Sequence, residues 1–338
     1  MSDPVVPTAA TGPERGARRS RRTALIALGV VLALVVGTGV WWFGFRSSGP
    51  SYPARWDPRI QALVSYVERA RGLTFKHPVY VDFLSDARFD KGVTTNSSDM
   101  SSSDKAQVAD TEQLMRALGL ISGKADLVAL TNAQQSGGVI GYYSYDDQRI
   151  RIRGTALTPR VKVTIVHELT HVLQDQYFGL GPAFKQLRAS QTVDDVAFDA
   201  IVEGDARRVE NDYQATLSKA DQAAVRKADD ATAAAYRRSA AQVPSIMNVM
   251  SDSPYELGQI AVGAAFKSGG NTAVDALFRT PPDHDIQIIE PWRLGSPYDA
   301  APLTPPALNA GEEQMQRGAF DASTLYYLLA DALPPPRR

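Results

Sequence analysis

The chain has 338 residues, of which 44% are hydrophobic and 22% are charged, so it can bury a sizeable core and is not a disordered protein. Lys and Arg total 36 against 37 for Asp and Glu, and this lack of a basic excess argues against nucleic acid as a partner. The absence of cysteine excludes disulfides, thiolate metal ligands and thiol nucleophiles. Only four histidines are present, so a metal site would have to use very few residues.

The N-terminus predicts a membrane anchor. A cluster of four arginines ends at position 22, and the 22 residues from 24 to 45 carry no charge. At about 1.5 Å per residue, this run crosses a hydrocarbon core of roughly 30 Å, and Trp41 and Trp42 lie near its far end, as interfacial aromatic residues do. The alternative is a cleaved signal peptide, whose apolar region is usually only about 7–15 residues long. We predict a cytoplasmic tail at 1–22, a single transmembrane helix at 23–45, a linker at 46–55 and one extracytoplasmic domain at 56–338.

The first part of this domain shows both helical and strand patterns. Asp57 and Pro58 have the residue types of a helix N-cap and first turn. The stretch Asp90–Asp104 is rich in serine and lacks apolar periodicity, which predicts a surface loop. Strand and helix patterns on either side predict a strand at Val79–Leu84 and a helix at Val108–Leu120.

A β-hairpin is predicted next. Val139–Tyr145 and Arg149–Arg153 are rich in strand-forming residues and flank the turn Asp146-Asp147-Gln148. In the second run, isoleucines alternate with arginines, as expected for a strand with one solvated face. This pattern predicts that Arg149–Arg153 is an edge strand.

Helices dominate the rest of the sequence. Thr158 and Pro159 begin a helix that continues to Gly179, and Thr192 with Asp195 forms a capping box for another that runs to about Tyr213. Further patterns predict an exposed helix at 218–242, a buried one at Tyr255–Phe266 and a last amphipathic one at Phe320–Leu333.

The helix that begins at Pro159 contains the sequence His-Glu-Leu-Thr-His at 167–171. Histidines four residues apart lie on one face of a helix, so His167 and His171 can bind one metal ion, and Glu168 can act on a water beside it. Most neighbouring residues are apolar, so a charged triplet at this point needs an explanation. The alternative is a core helix whose histidines only make hydrogen bonds.

A zinc hydrolase needs a third protein ligand. The Gly-x-x-His continuation that supplies it in one class of zinc peptidases is absent, because Gln174 and Tyr177 occupy those positions. Glu203 is the best candidate, since it lies in an apolar stretch beside a small residue, Gly204, which would let two helices approach closely. The rival ligands are Asp199, Asp205 and His284.

These residues resemble a known family. The His-Glu-Leu-Thr-His motif, the following 172–176 segment and the Val-Glu-Gly-Asp-Ala sequence at 202–206 are similar to the gluzincin branch of the zincin metallopeptidases, in particular to membrane-anchored bacterial proteins of the peptidase MA type. The resemblance covers Val139–Phe278 and includes Pro254-Tyr255-x-x-Gly258. It implies an α+β, zincin-like fold in which a small mixed sheet and an active-site helix are joined to a mainly helical C-terminal lobe, after one transmembrane helix.

The resemblance also implies a ligand set and a reaction. His167, His171 and Glu203 would bind Zn²⁺, and Glu168 would act as the general base in peptide-bond hydrolysis. Many gluzincins carry an Asp four residues after the Glu ligand to orient a histidine. Here that position holds Arg207, so Asp199 or Asp175 would have to take its place.

Two further residues are candidates for stabilising the oxyanion, because a Tyr or a His commonly does so in gluzincins. Tyr255 and His284 are available, with a packed core aromatic and a surface histidine as the respective alternatives. The predicted edge strand Arg149–Arg153 could pair with an extended peptide substrate. Its alternative is a plain edge strand whose charges guard against aggregation.

Together these observations predict a single-pass zinc metallopeptidase of the cell membrane, with a cytoplasmic N-terminus, an extracytoplasmic catalytic domain and a peptide or protein substrate. The alternative is a binding or scaffolding ectodomain at the cell envelope that has the zincin fold but cleaves nothing. Glu168 favours the enzyme, since a purely structural zinc site would not need it. The sequence predicts neither the cleavage preference nor the oligomeric state.

Overall fold

The computed structural model describes residues 50–190, 194–297 and 321–333, together with positions 307, 309 and 311. The predicted cytoplasmic tail and transmembrane helix, and Thr192 of the predicted capping box, lie outside the described residues. Within the described ranges, none of the helices combines the length and the apolar character that a membrane crossing requires.

The described chain is mostly helical and contains a small three-stranded sheet, which confirms the predicted α+β class. The strands are β1 (Val81–Leu84), β2 (Gly141–Ser144) and β3 (Arg149–Arg153). The helices are α1 (Gln61–Arg71), α2 (Asp86–Val93), α3 (Ser102–Ala117), α4 (Leu127–Gly138), α5 (Pro159–Phe178), α6 (Leu180–Ser190), α7 (Asp194–Thr216), α8 (Lys219–Ser239), α9 (Ser245–Arg279), α10 (Ile286–Ile289) and α11 (Ala322–Ala332).

The sheet corrects the prediction that Arg149–Arg153 is an edge strand. The strand order is β1-β3-β2, with β1 parallel and β2 antiparallel to β3. β3 therefore lies in the centre, with partners on both sides, and it cannot pair with a peptide. In the described sheet, the two outer strands are β1 and β2.

The arginines of β3 predicted a solvated strand face, but in the structure they are paired with carboxylates of the protein. Arg151 is only 5% exposed and forms an ion pair with Asp147. Arg149 lies 3.2 Å from Asp82, and Arg153 lies 2.6 Å from Asp90. The three guanidinium groups also lie over aromatic rings of Tyr80, Tyr142 and Phe89. A strand with one polar face can thus be central when its charges are neutralised within the fold.

The serine-rich segment was also predicted wrongly in part. The start of the segment, from Asp90, belongs to helix α2, and helix α3 begins at Ser102, near the end of the segment. Ser101 and Asp104 form a reciprocal capping box at the start of α3, in which each side chain accepts from the backbone of the other residue. Only the stretch between the two helices lacks regular structure, because serine favours helix starts as well as loops.

Helix α5 carries the His-Glu-Leu-Thr-His segment through the main hydrophobic core. Its start is fixed by Thr158, whose hydroxyl accepts from the Val161 N–H, and its end by Gly179 with φ +66°. Ile165 and Leu169 of this helix pack in the same core as Ile150 of β3. All three side chains are fully buried. The histidines of α5 are therefore held on a rigid, buried element.

Helices α7 and α9 touch at two glycines. A Cβ atom built at Gly258 would lie 2.0 Å from the Ala200 carbonyl oxygen, and one built at Gly204 would lie 2.3 Å from the Gly258 backbone. Gly204 thus allows a close approach, as its small size predicts, but the helix that approaches is α9 and not α5. Because Tyr255 lies one turn before Gly258, this contact sets the position of Tyr255 relative to Glu203.

Substitution of Gly258 by Ala is expected to destabilise the protein, because the new methyl group collides with backbone that has no side-chain freedom to move. We expect the free energy of unfolding to fall by about 1–3 kcal/mol or more. Gly263→Ala on the same helix is the matched control, since a Cβ there meets nothing within 4 Å. The control is expected to gain up to about 1 kcal/mol from helix propensity. Urea denaturation of both variants gives the two signs, and equal effects would contradict the close contact.

Candidate metal centre

Three metal-binding atoms meet between α5 and α7. The Nε2 atoms of His167 and His171 lie 3.0 Å apart. The Oε2 atom of Glu203 lies 3.2 Å from the first nitrogen and 3.5 Å from the second. His167 is 9% exposed and His171 is 6% exposed. The structure thus brings together the three residues predicted as ligands, and in the described part of the chain they form a group that could hold a metal ion.

The hydrogen bonds on the other side of each imidazole decide which nitrogen carries a proton. Nδ1 of His167 lies 3.0 Å from a carboxylate oxygen of Glu210, and Nδ1 of His171 lies 3.0 Å from Oε1 of Gln174. Both partners accept hydrogen bonds, so we assign the proton of each neutral ring to Nδ1. The two Nε2 atoms then offer lone pairs toward each other and toward the Glu203 carboxylate. Three acceptors at this separation require a cation between them.

The distances fit a tetrahedral ion of the size of zinc. With metal-to-ligand distances of about 2.0–2.1 Å, two ligand atoms of a tetrahedral site are separated by about 3.3 Å. The three observed separations of 3.0, 3.2 and 3.5 Å lie on either side of this value. Two imidazole nitrogens and one carboxylate oxygen are also the donor types of hydrolytic zinc sites. The residues present therefore fit the metal that the sequence predicts.

The electrostatics of the group show the same demand for positive charge. Burial on its own would lower the pKa of His167, but its hydrogen bonds to Glu203 and Glu210 raise the pKa to about 10. Burial would raise the pKa of Glu203, yet the neighbouring imidazoles His171 and His167 hold it well below its usual range. Without a metal ion, the group therefore takes up a proton instead.

Glu210 is a fixed anion behind His167. Its carboxylate lies 3.1 Å from Arg160 and 2.9 Å from Arg207. Burial opposes ionisation, but the hydrogen bond to His167 and the two arginines lower the pKa of Glu210 to about 2. Glu210 therefore stays charged at neutral pH and keeps accepting from Nδ1 of His167.

Glu168 lies beside the ligands without joining them. The backbone N–H of Tyr143 on β2 lies near this carboxylate and favours its charged form. Burial raises its pKa, and the positive charge of His167 and His171 lowers it by less. The side chain is 5% exposed. A buried carboxylate outside the ligand set keeps its oxygens free to take up and release a proton, which a carboxylate bound to a metal cannot do.

The rival ligands lie outside this group. Asp205 is fully buried and forms ion pairs with Arg71 and Arg208 at 2.9 Å each. His284 lies in the segment between α9 and α10, where its backbone N–H donates to Gln287. Asp199 lies on α7 one turn before Glu203. The metal-binding group contains Glu203 and neither Asp199, Asp205 nor His284.

The residues that orient the histidines differ from those expected. Asp175 does not bond to a histidine, because it accepts from the Tyr143 hydroxyl at 2.9 Å and from the Gly181 N–H. Glu210 and Gln174 orient the two rings instead. Both lie on the correct helix faces, since Glu210 follows Glu203 by two turns and Gln174 follows His171 by three residues. That spacing is the signal the sequence analysis missed.

Tyr255 lies next to the ligand group. Its ring centroid is 6.1 Å from that of His167, and the Arg207 guanidinium lies 5.2 Å above its ring. Burial, and after it the charge of Glu203, raise the pKa of Tyr255 well above the usual range. Its hydroxyl therefore stays protonated and can donate a hydrogen bond.

Comparison of this chain with known protein families, with curated proteins and with solved structures gives no match. The resemblance to the gluzincins therefore depends on the motif residues and their spacing. The geometry of His167, His171, Glu203 and Glu168 is an independent observation, because three-dimensional proximity of residues 36 positions apart does not follow from the motif alone.

Proposed function

We propose that the chain is a zinc-dependent metallopeptidase of the gluzincin type, held at the cell membrane by its N-terminal segment, with the catalytic domain outside. The observation that carries this proposal is the convergence of His167, His171 and Glu203, with Glu168 beside them as a buried carboxylate outside the ligand set. A metal site with only a structural role has no need of such a group.

A zinc ion in this site would act as a Lewis acid that lowers the pKa of water to about 7 and polarises a carbonyl group. The chain supplies the proton transfers. Glu168 removes a proton from the attacking water, whose oxygen forms a bond to the carbonyl carbon, and passes that proton to the leaving amine nitrogen as the peptide C–N bond breaks.

Tyr255 is our candidate for stabilising the negative charge that develops on the carbonyl oxygen. It is a neutral donor beside His167, and Arg207 lies over its ring. A donor that is already in position gains strength in a site from which water is excluded. His284, in the segment between α9 and α10, is the weaker candidate.

The proposed substrate is a peptide or an unfolded protein outside the cytoplasm. β3 has no free edge for it, as described above. β2 is an outer strand of the described sheet and lies against α5. The Arg153 N–H donates to the Ile140 carbonyl oxygen, so the alternation of antiparallel pairing directs the backbone groups of Tyr143 away from β3, as an edge that pairs with an extended substrate requires.

The metal is tested first. We expect the purified full-length chain to contain about one zinc ion per molecule, and a strong chelator to remove it with loss of thermal stability, because the ion binds only the folded site. Elemental analysis and thermal denaturation before and after chelation measure both effects. A chain that takes up no zinc at neutral pH would contradict the proposed zinc site and the function that depends on it.

Activity is tested on the same preparation with an unfolded protein as substrate. Cleavage that is lost with the chelator and restored by zinc supports the peptidase. A fully zinc-loaded chain that cleaves no peptide bond would instead favour the binding or scaffolding ectodomain.

A further inference from the structure

A chain of buried polar side chains connects His171 to the first helix of the domain. Arg71, the last residue of α1, is 1% exposed, and its Nε lies 2.9 Å from Oδ2 of Asp205 on α7. The same oxygen of Asp205 accepts from Nε2 of Gln174 at 3.0 Å. Oε1 of Gln174 lies 3.0 Å from Nδ1 of His171. Three helices are thus joined by side chains that end at a metal-binding residue.

Gln174 is suited to this place because both ends of its amide are used. Its NH₂ group donates to Asp205 and to the Val202 carbonyl oxygen at 3.1 Å. Both partners are acceptors. If the Gln174 amide reversed, its NH₂ group would face the Nδ1–H of His171, and its oxygen would face the oxygens of Asp205 and Val202. Asp205 therefore fixes the amide orientation, and the amide orientation fixes the proton on Nδ1 of His171.

Asp205 is itself held by charge. It is fully buried, and Arg71 and Arg208 neutralise it from two sides. Arg71 also reaches Asp275 of α9 at 2.7 Å and Asn271 at 3.0 Å. The Arg71 guanidinium thus contacts two carboxylates, Asp205 and Asp275, and only Asp205 is connected to the candidate metal site.

We propose that Arg71, Asp205 and Gln174 form a positioning chain that holds His171 in its metal-binding tautomer, so that the docking of α1 and the binding of metal are coupled. This inference rests on the metal site of the proposed function and is independent of peptidase activity. None of the three residues touches the metal ligands' binding atoms. Each acts through the next, and the last acts on Nδ1 of His171.

The test compares substitutions of the two carboxylate partners of Arg71, Asp205 and Asp275, in the full-length chain. Asp205→Asn places an amide next to Gln174, which can reverse the Gln174 amide and select the wrong tautomer of His171. Asp275→Asn is the matched control, because it removes the charge of the other Arg71 partner and leaves the path to His171 intact. Zinc affinity is measured by chelator competition, and the visible spectrum of the cobalt-substituted protein reports the ligand geometry.

We expect Asp205→Asn to weaken zinc binding by at least about tenfold and to change the cobalt spectrum, as the loss of a group behind a ligand does. Asp275→Asn is expected to stay within about twofold of the wild type, even where its thermal stability falls. Gln174→Leu serves as the second variant if Asp205→Asn does not fold, and it is expected to lose affinity to a similar extent.

Two outcomes separate this inference from the proposed function. A folded Asp205→Asn protein with the affinity of Asp275→Asn, or a Gln174→Leu protein with wild-type affinity, would overturn the coupling while leaving the metal site intact. A wild-type chain without zinc would overturn both.

Discussion

Replacing Glu168 by Gln is expected to abolish peptide cleavage while the zinc content stays at the wild-type level. The amide has nearly the same size as the carboxylate but cannot accept a proton, so the water attack and the protonation of the leaving amine both lose their catalyst. General acid–base catalysis contributes about 10²–10⁴-fold to rates, and we expect the rate of cleavage to fall by at least the lower figure. The rate is measured on an unfolded protein substrate, with zinc determined on the same sample.

Glu290→Gln is the control for Glu168→Gln, since it makes the same chemical change at a glutamate that pairs with Arg293. Its activity is expected to match the wild type. If Glu168→Gln cleaves as fast as this control, Glu168 is not the base. If it loses its zinc as well, the carboxylate contributes to the metal site and the separation of roles proposed above is wrong.

The second large effect is expected at Glu203. Glu203→Ala removes one of three ligand atoms and leaves the two imidazoles without the carboxylate that balances the charge of a cation. Loss of a group behind a ligand costs about 10–100-fold in metal affinity, so loss of the ligand itself is expected to exceed 100-fold. Chelator competition with zinc gives the affinity, and activity is expected to fall with the metal content.

Asp199→Ala is the matched control for Glu203→Ala, because Asp199 lies one turn earlier on the same helix and was a rival for the same role. We expect its zinc affinity to remain close to that of the wild type. The reverse result, with affinity lost in Asp199→Ala and kept in Glu203→Ala, would transfer the ligand role to Asp199.

Much of the site was predictable because it depends on spacing within single helices. The Thr158 cap, Gly179 and the four-residue separation of His167 and His171 all follow from local helix geometry. Glu203 was accessible to the same reasoning, since a carboxylate in an apolar helix segment needs a partner. The α+β class was implied by the resemblance of the motif residues to the gluzincins.

The remaining features depend on contacts between elements. The alternation in Arg149–Arg153 shows that one face is polar but does not show which strands lie beside it, and the carboxylates that neutralise it come from distant positions. Glu210 orients His167 only because α7 packs against α5 and brings the two side chains within 3.0 Å. The same applies to Gly204, whose small size indicates a close contact without naming the helix that makes it.

The glycine contact between α7 and α9 has a mechanical consequence. Helices that meet backbone to backbone have no intervening side chains that could change rotamer and let them slide. α7 carries the ligand Glu203, and α9 carries the candidate donor Tyr255. Any motion that widens the proposed site would therefore move these two residues together as one body, and the distance between Glu203 and Tyr255 would be preserved.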